Sequence, residues 1–330
     1  MRTVRLFATL AFTCSLLAAT SSDAGFTFGS GANQFEMQFI EIGSPGNDPD
    51  TKPGGILGSP GAVSYTYNMG KYAVSRDMID KANLGITMDS MSFVTGGPRD
   101  DMPATGVTWF EAARFVNWLN TEQGFQEAYS FDDNGNFQLW SSAEAWKLDG
   151  ENRFRHKDAG FWLPSLDEWH KAAFYDPVSE SYFNYPTSDG SVPTPVAGGT
   201  DAGTAVYRQP FAQGPADITN AGGLSPFGVM GMGGNVSEWE ETTSDLQNES
   251  TFSSRGVRGG SWGVTPAFVL QSNRRGGTFP EFENSQGFFV GFRVASLSSP
   301  AVVVPEPGSL AIWGVMCVGV WHYRKRRLRK

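Results

Sequence analysis

Hydrophobic and polar positions follow a helical period in two stretches of the chain and alternate in several shorter ones. In TWFEAARFVNWLN, residues 108–120, Trp109, Ala112, Phe115, Val116 and Leu119 recur at spacings of three and four, which places them on one face of a helix. Thr108 and Glu111 stand in front as a Thr-x-x-Glu capping box, in which each side chain satisfies a backbone N–H that the first turn leaves free. LPSLDEWHKAAFYD repeats the device with Ser165 and Glu168, and with Pro164 just outside. Trp169, Ala172 and Ala173 then point inward, and Glu168, His170 and Lys171 are expected on the solvated side. A shorter helical pattern covers residues 76–84. FEMQFIEI, YNMGKYAV, GVRGGSW and GFRVAS have strand character, and Asp133-Asn134-Gly135-Asn136 has the composition of a hairpin turn. Residues 189–223, rich in Gly, Pro, Thr and Ala, predict a long irregular segment within the domain. With 40 glycines and 10 tryptophans in 330 residues, the pattern predicts a single α+β domain with little regular secondary structure around an aromatic core.

The two ends differ from this body. Arg2 and Arg5 precede an apolar stretch, residues 6–19, and Ser22-Asp23-Ala24 is a small-x-small cleavage site, so residues 1–24 are expected to be a signal peptide cut by signal peptidase. Cys14 lies inside the apolar run behind Thr13, a context unlike that of a lipoprotein. At the other end, residues 298–308 form a linker holding Val-Pro-Glu-Pro. Residues 309–330 comprise a short apolar segment and a tail with six basic residues. The apolar part, residues 309–323, falls short of the ~20 residues that span a bilayer comfortably, and the basic cluster would hold its end at the cytoplasmic face. The three parts in this order resemble the PEP-CTERM sorting signal of Gram-negative bacteria. The resemblance implies recognition by an exosortase at Pro305, Glu306 and Pro307, passing contact with the membrane, and delivery to the cell surface or extracellular matrix.

Charge and sulfur narrow the function. Two of the 25 Lys and Arg lie in the leader and six in the tail, with one of the 34 Asp and Glu in each, so the body carries a net charge of about −15. That excludes the basic face on which nucleic-acid binding depends. Both cysteines, Cys14 and Cys317, fall outside the body, which therefore has neither disulfide nor thiol.

GKYAVS, GVTWFEAARFVNWL, FWLPSLDEWHKAAF, SPFGVMGMGGNVSEW, RGVRGGSW and GFRVA occur in one order and together resemble the formylglycine-generating enzyme, or sulfatase-modifying factor, family across residues 35–295. The resemblance implies that residues 25–297 adopt that family's variant of the C-type lectin fold. It also implies a structural calcium ion held by the carboxylate of Glu238 and the carbonyls of Gly234, Val236 and Gly233, an arrangement that suits calcium's need for several oxygens. A second calcium position of the family matches AVYRQP, where Val206 replaces the expected Asn. The family's oxidases hold copper with two cysteines five positions apart after Arg-Gly-Gly-Ser, and soft thiolates suit copper(I). Here those positions are Val264 and Val269, so copper and the formylglycine reaction are not expected. The body's two histidines, His156 in a polar loop and His170 on its helix, read as surface residues rather than a metal centre. Arg258, Trp262, Asn273, Arg274 and Arg275 fall around the family's substrate groove, and arginine and tryptophan are common binding anchors. The expected function is that of an exported, non-catalytic binding or structural protein whose ligand is a polysaccharide, a peptide or a surface protein. The alternative is an enzyme that modifies an exported substrate in the same groove by cysteine-independent chemistry.

Overall fold

A computed structural model describes residues 24–297, apart from 53–57, 89, 93, 98 and 282–288. The leader up to residue 23, and everything after Leu297 including Pro305, Glu306 and Pro307, lie outside the described residues.

Three α-helices occur among the described residues: α1 Arg76–Ala82, α2 Trp109–Glu122 and α3 Leu166–Phe174. Both expected capping boxes form, with Thr108 and Glu111 at α2 and Ser165 and Glu168 at α3. All five residues of the α2 stripe are buried, and so are Asn117 and Asn120. These amides clamp neighbouring segments. Asn117 exchanges hydrogen bonds with the Tyr129 backbone, and the Asn120 side-chain oxygen accepts from the N–H groups of Gly160 and Phe161.

Two sheets carry the rest of the frame. The first is antiparallel throughout and runs Ala24–Phe28, Phe35–Ile42, Tyr67–Gly70, Ala295–Leu297, Phe161–Trp162 in spatial order. Strand Phe35–Ile42 shows the alternation of its sequence, with Glu36, Gln38 and Glu41 exposed between buried apolar residues. The second sheet runs Gly276–Thr278, Arg255–Arg258, Ser237–Thr243, Val290–Gly291, the last pair being parallel. Asn134 and Gly135 turn the hairpin between Ser130–Phe131 and Phe137–Gln138, as expected. The segment 189–223 is irregular apart from short pieces such as the parallel pair Thr194–Pro195 and Thr204–Ala205.

Trp109, Trp162, Trp169, Trp239 and Trp262 are fully buried. Each indole N–H finds an acceptor, which makes burial of these large rings affordable: Trp109 donates to the Glu240 carbonyl at 3.0 Å and Trp239 to that of Val107 at 2.9 Å. Between Trp146 and Trp162 lies Arg155, whose guanidinium is shared by Glu168 and Glu241. The core is thus aromatic and carries several fully buried ion pairs.

Candidate functional site: the Arg-lined cavity beside GGNVSEW

Residues 233–239 make a corner that enters the second sheet. Gly234 has φ 83°, and a Cβ there would lie 2.4 Å from the Val206 carbonyl oxygen, so neither the angle nor the space admits a side chain. Asn235 follows at φ 59° and bridges to Ala216, accepting from its N–H at 2.8 Å and donating to its carbonyl at 3.2 Å. The Asn235 N–H donates to the Val206 carbonyl, and the Asn235 carbonyl accepts from Trp262 N–H. Glycine and asparagine here tie three distant segments together.

Glu238 has a partner that the sequence did not announce. Arg293 clasps it with two bonds, Nε to Oε2 at 2.6 Å and Nη2 to Oε1 at 2.7 Å. Trp169 Nε1 donates to Oε2 at 2.8 Å. Arg293 also donates to the carbonyls of Gly70 and Met230. Calcium would need a Glu238 oxygen free of other cations, and both oxygens are taken by a guanidinium. The residues present therefore do not fit the ion expected on Glu238, Gly234, Val236 and Gly233. Among the described residues no cluster of three His, Cys, Asp or Glu side chains is placed to hold a metal.

The expected surface histidines are also corrected. His156 ends the strand Asn152–His156 and is buried. His170 is 1% exposed, with Nε2 3.0 Å from Asp50 Oδ2 and Nδ1 3.1 Å from Arg258 Nη2. A guanidinium can only donate, so Nδ1 accepts and Nε2–H donates to Asp50, which fixes one neutral tautomer. Burial pushes the His170 imidazole down to about 4, and the nearby Arg258 charge works in the same direction.

Arg258 continues outward from this pair. Its Nη2 also donates to the Ser272 carbonyl at 2.8 Å, its guanidinium lies over Trp169, and its Nε is 3.7 Å from Glu240 Oε1. Burial lowers the guanidinium to about 10, opposed by Glu240, so it remains a cation at neutral pH. Arg275 Nε donates to the other Glu240 oxygen at 2.6 Å, and its Nη2 to the carbonyls of Thr242 and Thr243.

These arginines line a cavity of about 460 Å³ at the second sheet, within the size range of small-ligand sites. Of the five groove residues the sequence suggested, Arg258, Arg274 and Arg275 line it; Trp262 and Asn273 do not. Trp262 is a core residue packed on Phe289, with ring centres 4.4 Å apart. Val264 and Val269 also line the cavity, and their side chains converge over Gly260. A methyl placed on Gly260 would lie 3.4 Å from a Val269 methyl and 3.5 Å from a Val264 methyl. Sequence reasoning missed Glu240, Asp50 and Arg293. Arg293 lay in view within GFRVA and Glu240 beside Glu238, but nothing local marked the pairing of either.

Few helices, two small sheets and long ordered loops around an aromatic core define a mixed α+β domain of the C-type lectin type. The chain belongs to the family described as sulfatase-modifying factor enzyme 1-like domain, matched over residues 65–297. Among solved structures it resembles the Treponema denticola variable protein 1, with a TM-score of 0.60 at 19% identity, covering 84% of this chain and 100% of that one. It also resembles CarF, with a TM-score of 0.52 at 17% identity, covering 79% of this chain and 98% of that one. At these identities the likeness speaks for the fold. A comparison with curated proteins gives no significant match.

Proposed function

We propose that this chain is an exported recognition protein, in which the groove that serves oxidation in the formylglycine-generating enzymes binds a ligand without copper chemistry. The observation that carries the reading is the pair Val264 and Val269, side by side on the cavity wall where the resemblance places the copper thiolates. A valine offers no lone pair to a metal, and residues 25–304 contain no cysteine to replace it. What the cavity retains is shape, apolar wall and arginine, which suit binding. Export by the leader and placement at the cell surface by exosortase complete the reading.

Glycan and peptide arrays probed with residues 25–304 test it. Retention of one ligand class, weakened by Arg274→Glu at the cavity rim, is the expected result. Turnover of an exported substrate, or stoichiometric transition metal on the purified body, would replace it with the enzyme reading. For the address, changing Pro305, Glu306 and Pro307 to alanine is expected to leave a membrane-retained precursor; normal maturation of that variant would remove exosortase from the account.

A further inference from the structure

Arg258 stands between two acceptors on different elements and bonds to one of them. Its Nη2 donates to His170 Nδ1 at 3.1 Å and to the Ser272 carbonyl at 2.8 Å. Its Nε is buried without a hydrogen-bond partner in the protein, and so is Glu240 Oε1, 3.7 Å away. A buried charged donor and a buried carboxylate oxygen held apart are costly. Closing the gap to an ordinary charged hydrogen bond, roughly 2.8 Å, takes a shift of only about 1 Å. The two bonds through Nη2 hold the guanidinium where it is.

One of those bonds exists only while His170 is neutral. Nε2–H is committed to Asp50, at 3.0 Å, so Nδ1 is the one place on the ring for a second proton. A proton there removes an acceptor from Arg258 and sets two cations 3.1 Å apart. Burial opposes the charged ring and holds it near 4, so the second proton arrives only in acid. Asp50, on the loop after the strand Phe35–Ile42, favours the imidazolium, and Lys52 on the same loop opposes it. Tyr182, from the strand Ser181–Tyr182, has its phenol pushed up by burial and stays neutral against the ring. On the far side, Glu240, Arg275, Asp50 and Asp167 all act on Arg258. Burial raises Asp167 to about 6, so it is neutral by the time His170 titrates. Glu240 is then the carboxylate with an oxygen free for Arg258.

We infer that Arg258 is a two-position element set by the proton on His170: bonded to His170 while the imidazole is neutral, and drawn onto Glu240 Oε1 once Nδ1 carries a proton. The second position needs no new partner, because its acceptor is already in place. Ser272, whose carbonyl Arg258 also holds, heads the segment that carries Arg274 and the strand Gly276–Thr278 along the cavity. The exchange therefore couples acidity to the cavity wall, through a histidine whose charge decides between two packings. It stands apart from the recognition reading, since it concerns the wall and not what the cavity binds.

The test is NMR titration of the full chain in mild detergent, labelled with nitrogen-15 at histidine and arginine, from neutral pH down to about 3.5. The chain has three histidines, so His170→Gln assigns the ring signals, and contacts with His170 and Trp169 assign the Arg258 Nε–H. At neutral pH His170 is expected as the Nε2–H tautomer. Its protonation, centred below about pH 5, should carry the Arg258 Nε–H resonance with it at the same midpoint. Arg258→Gln removes the facing cation and should raise the His170 midpoint by about one pH unit, or about tenfold in proton affinity. The wild-type titration decides even where that variant does not fold. An Arg258 Nε–H resonance that stays in place while His170 titrates overturns the inference, as does a neutral His170 with its proton on Nδ1. A folded Arg258→Gln with an unchanged His170 midpoint also overturns it. So does a fold lost before His170 takes up its proton, seen as collapse of the dispersed spectrum, because the second position then never forms.

Discussion

Glu238 and Arg293 show how much a single buried pair can decide. A carboxylate next to Gly-Gly-Asn has the sequence of a cation ligand, and it does hold a cation, but one that belongs to the chain. The two side chains are almost completely buried, and their two-pronged contact leaves no carboxylate oxygen free. Removing one partner strands a charge in the core, which typically costs about 3–5 kcal/mol, so Glu238→Gln and Arg293→Met should each lower unfolding free energy in urea by that order. The double variant should recover part of the loss, since an apolar replacement of both partners restores neutrality. If the two single losses simply add in the double variant, the pair is not a unit. The same geometry predicts that thermal melts in calcium and in chelator superimpose, because a ligand stabilises a fold only by binding it. A rise in melting temperature with calcium, lost in Glu238→Gln, would show that the ion displaces Arg293. The need of Glu238 for a positive partner was legible in the sequence. Its identity was not, because 55 residues separate the two and nothing near either one pairs them.

At the scale of the element, α3 divides what a sequence discloses from what it withholds. Its start is local chemistry, and Ser165 with Glu168 caps it as expected. Its apolar residues turn inward as their spacing requires. Glu168, His170 and Lys171 read as a solvated face, yet all three are buried. Arg155, Tyr65 and Trp162 donate to Glu168, Asp50 meets His170, and the Ser44 carbonyl accepts from Lys171 at 2.9 Å. A polar residue on a helix looks exposed until its partner is known, and these partners come from far along the chain. One consequence is measurable with pH. Folded His170 is held neutral, with its value near 4 against the ordinary 6.5, so between those limits the unfolded chain takes up the proton and the folded chain does not. Its contribution is present above pH 6.5 and is lost as pH falls toward 4, amounting to at most about 3 kcal/mol. Asp167, which burial raises to about 6, works with opposite sign: its contribution is present below 3.8 and fades as pH rises toward 6. The two flatten the wild-type curve. Denaturation of wild type and His170→Gln at several pH values between 4 and 7 separates them: the gap between the two proteins should widen as pH rises. A gap that stays constant would mean His170 does not titrate abnormally.

The whole molecule keeps the frame of its family. Six motifs in one order disclosed that frame because they mark places where backbone geometry tolerates little variation, such as Gly234 against the Val206 carbonyl. The second sheet and its cavity were less legible: Arg275 meets Glu240 across strands, and the strand Ala24–Phe28, which begins at the expected leader cleavage site, extends the first sheet. The frame leads to a prediction about chemistry. The chain should not convert a cysteine peptide to formylglycine with copper present, because oxygen activation in that family depends on a thiolate pair and residues 25–304 contain no thiol. Mass spectrometry of the peptide against a control without protein checks this. The stronger form of the test restores the ligands. Val264 and Val269 reach the same space over Gly260, so Val264→Cys with Val269→Cys should bring two thiols within reach of one ion. Copper(I) should then bind at one equivalent under reducing conditions, as metal analysis after gel filtration would report, with each single variant binding far more weakly. Activity need not follow, because an oxidase also depends on the residues that orient its ligands and admit its substrate, and this cavity has arginine and hydrocarbon around it. A double variant that melts like the wild type yet takes up no copper would mean that these two valines do not occupy the places of the family's cysteines.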